Sequence, residues 1–316
     1  MTRAGRAVIV AFMLMAGSAL QAQTQLVIVS GLGGEPKYSR LFSELSVALA
    51  DAARQRAGLS DSAITWLGET NPAGSRWYRG ASRRENIERV LGRLAERPDS
   101  NEQLVLVLIG HGSGEGQDTR ISLPGADLTA ADFARLLAAF GTRRVAFVNL
   151  TSASGDMLSL LAAPQRVVLT ATKSAFERNE SQFGRFFVDA FAKDGADTDK
   201  DGRVSLQEAF QYADAETKRF YETEGRLATE HAQMADANQL ARRFFLSSGA
   251  VATAGPGSDT RLAALYAERS TLDEQIEVLK KRKMQMSADA YERELEQVLL
   301  SLAITSREIR RLERGT

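Results

Sequence analysis

The sequence predicts an α/β fold: a three-layer α/β/α sandwich on a mainly parallel sheet, followed by a helical region and a C-terminal α-helical hairpin. Three observations carry that expectation. Two apolar runs, LVLVLIG at 104–110 and RVAFVNL at 144–150, have the length and Val/Leu/Ile content of strands buried on both faces. Strand-like and helix-like segments alternate through residue 171, as they do when helices cover both faces of a parallel sheet. Strands then stop, and a heptad pattern of apolar residues begins near Thr260.

The elements follow in order. QLVIVS at 25–30 reads as the first strand, and the turn GLGGEP leads into a helix near 37–56 that carries Leu41, Leu45, Val47, Leu49 and Ala52. Its glycines do not spell a dinucleotide site, since the third glycine of G-x-G-x-x-G falls at Pro36. AITWL at 63–67 is the second strand. The stretch after it, GETNPAGSRWYRGAS, is longer than a typical connection of ~4–6 residues. Arg76, Trp77, Tyr78 and Arg79 are therefore candidates for substrate or partner contact, with a loop pinned by its two aromatics as the plainer alternative.

A cap near Ser82 opens an amphipathic helix over 85–96 through Ile87, Val90, Leu91 and Leu94. Thr129 with Asp132 makes a capping box, with Asp in place of Glu, ahead of a helix through Phe133, Leu136, Leu137 and Phe140. A short helix at 157–161 and a fifth strand at 165–171 complete the sheet. Phe183, Phe186, Phe187 and Phe191 mark a further helix, and another runs through Tyr212, Phe220 and Tyr221.

SSGAVATAGPGS at 247–258 is a linker by composition. Beyond it, Leu262, Leu265, Leu272, Ile276, Leu279 and Met286 fall on a and d positions of one helix. Tyr291, Leu295, Val298, Leu302, Ile309 and Leu312 do so on a second. Ser287 is placed to cap between them. The seam closes on itself, or recruits a second copy of the chain.

Composition bounds the function. Of 316 residues, 44% are hydrophobic and 25% charged, which describes a folded globular chain. Forty basic residues balance forty acidic ones, so nothing points to nucleic acid; KKRK at 280–283 reads as a solvated face. The chain contains no cysteine, which excludes disulfides, thiol catalysis and a lipoprotein anchor. Residues 1–22 read as a secretory signal, with Arg3 and Arg6 before an apolar core, so the protein is expected to be periplasmic or secreted. No later stretch is apolar and long enough to span a membrane. The expected organisation is signal 1–22, α/β domain 23–194, an acidic loop with helices packed on that domain at 195–246, linker 247–259 and hairpin 260–316.

The most specific motif is DTDKDGRVSLQE. Asp197, Asp199, Asp201, Gly202 and Glu208 satisfy the D-x-[DN]-x-[DN]-G-x5-E pattern of an EF-hand-type Ca2+ loop. A hard cation takes six to eight oxygens, which the three aspartates, the Arg203 carbonyl, the Ser205 hydroxyl or a bridging water, and Glu208 supply at the required spacing. Val204 falls at the apolar eighth position. There is no second loop of this kind, so paired, cooperative sensing is not expected. With only His111 and His231 in the chain, a histidine-rich zinc centre is not supported.

The second motif carries a family resemblance. An apolar strand ending in Gly110-His111-Gly112, followed by a strand ending in Ser152-Ala153-Ser154-Gly155, resembles the caspase and legumain group of cysteine peptidases. The resemblance covers about 25–191 in strand order. It implies a sheet of order 2-1-3-4-5, with His111 as the family histidine and Ser152 where the nucleophilic cysteine belongs. A serine hydroxyl needs a well-placed base where a thiolate does not, and only Glu115 and Asp118 lie near His111 in sequence to orient it. Three readings remain open: a noncatalytic peptidase-like domain acting on a protein or peptide partner, a serine hydrolase or peptidase using Ser152 and His111, or a turn in which His111 is merely structural.

Overall fold

The computed structural model describes residues 24–71, 74–97, 102–246 and 260–314. The expected signal segment and the linker lie outside them. No helix among the described residues is long and apolar enough to cross a membrane.

β1 (Thr24–Ser30) leads through a glycine turn to α1 (Pro36–Gln55), then β2 (Ile64–Gly68), β3 (Tyr78–Ala81) and α2 (Arg84–Ala95). β4 (Gln103–Ile109) is followed by three short strands, β5 (Gly112–Ser113), β6 (Arg120–Ile121) and β7 (Leu128–Thr129), and by α3 (Ala130–Ala138). β8 (Val145–Asn149), α4 (Met157–Leu161), β9 (Arg166–Thr170), α5 (Phe183–Ala192), α6 (Leu206–Thr223) and β10 (Gln233–Ala235) complete the body. The main sheet has the order β10-β9-β8-β4-β1-β2-β3. Only β10 runs antiparallel. The expected five-strand order is present at its centre, with β3 and β10 added at the edges.

Side-chain alternation sends each strand into two cores. Leu26, Ile28, Val105, Val107, Ala146 and Val148 face one side, where α1, α5 and α6 pack. Val27, Val29, Leu104, Leu106, Leu108 and Phe147 face the other, under α2, α3 and α4. All seven residues of β4 are buried, which explains why its sequence runs apolar without alternation.

The long stretch after β2 has a topological cause. β3 pairs parallel to β2, so the chain must return along the strand before it can pair. Trp77 ends that return. It is 1% exposed and donates its indole N–H to Asp51 at 2.8 Å, while the Tyr78 ring packs edge-on to Trp66. Trp77 thus serves the core rather than a contact surface. Arg76 lies over the Trp77 ring and pairs with Asp61, and Arg79 donates to the Arg76 carbonyl.

α7 (Thr260–Arg282) and α8 (Ala288–Arg314) are two long helices. Leu272, Ile276, Leu279 and Ile309 are buried, and the Ser287 hydroxyl accepts from the Ala290 N–H. A polar pair not evident in the heptad pattern also sits in the seam, where Thr305 donates to Glu268 at 3.3 Å.

The capping box at α3 forms as the spacing predicts. Thr129 accepts from the Asp132 N–H, and Asp132 accepts from the Thr129 N–H and from Arg84 of α2. Burial pushes the Asp132 carboxyl up, but the Thr129 N–H, the Arg84 guanidinium and the Thr129 hydroxyl outweigh it and hold it below the usual carboxylate range. A depressed folded value means that this stabilisation is present above the unfolded pKa and is lost as pH falls through the folded one. Thr129→Ala should therefore cost about 1 kcal/mol. In urea melts Asp132→Asn should lose stability at neutral pH, and its gap from wild type should close on acidification below pH ~4.

Candidate functional site

The structure builds two separate polar sites, one at each end of the parallel strands. At the C-terminal rim, the turn after β4 meets the turn after β8. Gly112 donates its N–H to Ser152 Oγ at 3.3 Å, and a Cβ on Gly112 would lie 2.1 Å from the Ser152 carbonyl oxygen. Glycine is thus required by the close approach of two backbones. Gly155 answers to the same constraint, since a Cβ there would meet the Lys173 backbone at 2.1 Å. The turns that carry His111 and Ser152 are therefore brought together.

Their chemistry is another matter. The Ser152 hydroxyl is engaged with the Gly112 backbone on both its N–H and carbonyl, and Ser152 is 6% exposed. His111 is held edge-on by the rings of Tyr38 and Phe42 at 4.6 and 5.1 Å. No hydrogen bond to its ring nitrogens is present among the described residues, and neither Glu115 nor Asp118 orients it. The glycine-rich turn itself is a small β-sheet stitched to the first turn of the chain: Ser122 donates to the His111 carbonyl, and Leu32 to that of Ser122.

The rim also holds a pair that the sequence does not reveal. Glu177, in the loop after β9, accepts from His231 Nδ1 at 2.6 Å, from the His231 N–H and from the Lys173 N–H. Its own carbonyl accepts from Ala153, a residue in the left-handed region at φ 50°. Burial pushes the Glu177 carboxyl up, but the Lys173 and His231 donors more than offset it and hold it low. Glu177 and His231 lie 54 residues apart, and no local pattern joins them; the pairing of β10 with β9 and the hydrogen bonds from Ser181, Gln182 and Phe183 to Glu230 bring the two segments together.

The second site is the loop 197–208, between α5 and α6. Asp197 accepts from the N–H groups of Asp201 and Gly202, and Asp199 from that of Asp201. Gly202 takes φ 81°, which glycine adopts without strain. Glu208 turns back from the first turn of α6. One of its oxygens accepts from Thr198 and Asp199, and the other closes the α6 capping box with Ser205. One residue thus caps the helix and closes the loop.

Ligand oxygens of Asp197, Asp199 and Glu208 lie within 4.8 Å of one another. Asp201 instead accepts from the Arg203 N–H and guanidinium, and that guanidinium lies 3.9 Å from the Phe245 ring centroid. Burial, then repulsion from Asp201, Glu208 and Asp199, push Asp197 up to about 6 against the Gly202 N–H. Burial also raises Asp199 and Asp201. An all-oxygen donor set under this crowding of like charge suits a hard divalent cation.

The loop is anchored to the opposite rim from His111. Val204 packs on the core, Ser205 bridges antiparallel to Phe245, and Leu206 donates to the Phe244 carbonyl. The Phe245 carbonyl in turn accepts from Thr24 and Gln103, the first residues of β1 and β4. The seven residues of β4, at ~3.3 Å each, separate the two sites by roughly 20 Å.

Comparison with known proteins bears on the fold alone. No protein-family model matches the chain, and no curated protein sequence matches it. Among solved structures, the chain is similar to caspase-1 from Spodoptera frugiperda, at 8% identity and a TM-score of 0.44, over 69% of this chain and 90% of that one. The architecture itself is an α/β/α fold with a mainly parallel sheet.

Proposed function

We propose that this is an exported Ca2+-binding protein whose peptidase-like domain is catalytically inactive and acts by binding a protein or peptide partner at the His111 and Ser152 rim. The observation that carries the inactivity is the state of the two residues in the family's catalytic positions. A serine stands where the thiol belongs, its hydroxyl is engaged by the Gly112 backbone, and His111 is packed by two aromatic rings with no carboxylate hydrogen-bonded to its ring among the described residues. A serine nucleophile needs a base oriented by a third group. The competing reading, a serine hydrolase using Ser152 and His111, draws on their adjacency at one rim.

Calcium binding rests on the complete loop motif and on the convergence of Asp197, Asp199 and Glu208. Asp197, Asp199, Asp201 and Glu208 would hold the ion with their carboxylates, Arg203 with its main-chain carbonyl, and Ser205 with its hydroxyl or a bridging water. The ion supplies charge compensation, and its place at the far rim from His111 fits a structural role. Export rests on residues 1–22.

Two measurements test this reading. Calorimetry on the mature protein should show calcium heat with a dissociation constant of about 10⁻⁴–10⁻³ M, abolished by Asp199→Ala with Glu208→Ala; heat that survives the double substitution refutes the site. A serine-reactive fluorophosphonate should leave the protein unlabelled. Labelling that disappears in both Ser152→Ala and His111→Ala would establish the hydrolase instead.

A further inference from the structure

The calcium loop also touches the C-terminal hairpin. Arg269, on α7, donates from its guanidinium to the backbone carbonyl of Asp199. Asp199 is the third position of the loop. Its carboxylate belongs to the converging set, while its carbonyl is the atom offered to the hairpin. The two groups of one residue thus face two different partners.

The loop's other connections are rigid. Its exit is tied to Phe244 and Phe245 by the Ser205 bridge and the Leu206 hydrogen bond, and Phe245 is tied to the first residues of β1 and β4. Arg203 fastens Asp201 to the face of Phe245. The entering half of the loop, around Asp199, is held by carboxylates: Asp199 and Asp201 N–H groups rest on Glu208, Asp197 and Asp199 oxygens. The ligand oxygens of Asp197, Asp199 and Glu208 converge within 4.8 Å of one another, so like charges crowd there. The position of the Asp199 carbonyl therefore depends on how firmly that half of the loop is closed.

We propose that the loop is a docking pad for the C-terminal hairpin, and that a divalent cation in it favours the docked arrangement. The cation screens the repulsion that loosens the entering half and so fixes the carbonyl that Arg269 reads. The hydrogen bond the geometry gives Arg269 is to the carbonyl of Asp199, the atom whose position the loop's closure sets. The proposal rests on the calcium-binding reading and adds to it a consequence for the hairpin.

The sign of one substitution discriminates this from simple electrostatics. Linkage is reciprocal: if the ion favours docking, docking favours the ion by the same factor. Arg269→Ala should then weaken calcium binding, by about fivefold or more for a coupling of ordinary size. A guanidinium that merely repelled a nearby cation would give the opposite result, since its removal would tighten binding.

The chain has no cysteine, so Ala215→Cys on α6 with Glu296→Cys on α8, both exposed, accept a pair of spin labels in the full mature chain. Calcium should narrow the label-to-label distance distribution relative to chelator, and Arg269→Ala should abolish the narrowing. Calcium heat with an unchanged distribution, or tighter calcium binding in Arg269→Ala, overturns the latch and leaves the metal site standing. Absence of calcium heat in the wild-type chain removes both.

Discussion

Burial of β4 on both faces is the constraint from which the rest of the structure follows. With β1 on one side and β8 on the other, every residue of the strand is out of water, and its backbone polar groups are satisfied by the two neighbouring strands. Parallel neighbours cannot be joined by tight turns, so the chain crosses over, through helices everywhere but between β2 and β3. Those helices cover the faces that the apolar side chains require. Polar chemistry is left only the rims of the sheet.

The two rims are used differently. At the C-terminal rim three loops meet at van der Waals distance, and the glycines at 112 and 155 exist because backbone lies against backbone there. That packing holds the turns that carry His111 and Ser152 together. It also engages the serine hydroxyl with the Gly112 backbone and sets the His111 ring against Tyr38 and Phe42. The oriented histidine of this rim is His231, through Glu177.

At the N-terminal rim the acidic loop is built into the body through Phe244 and Phe245. Phe245 accepts from both Thr24 and Gln103 while its backbone pairs with Ser205. A single loop of this type has no twin to pair with, and residues 244–245 provide that support from the body of the protein. The hairpin that follows in sequence returns to the same loop through Arg269, so the acidic loop is a point of contact between the two parts of the chain.

The strands, the α3 capping box and the heptad seam were legible in the sequence because each depends on local spacing: apolar runs of strand length, a threonine three residues before an aspartate, leucines on a and d positions; the order of the strands came instead from the resemblance carried by the His111 and Ser152 turns. The loop at 197–208 was legible for the same reason, since its ligand candidates sit within twelve consecutive residues. The length of the segment before Trp77 was visible, but its cause was not, because a parallel return path is a property of the sheet and not of the loop. Only the tertiary structure decided that Ser152 is engaged by Gly112, that Asp201 is taken by Arg203 while Asp199 faces the hairpin, and that Glu177 meets His231. Each joins a side chain to a partner or a second role set by the packing of neighbouring elements, and sequence spacing carries no record of which backbone or which guanidinium will be nearest.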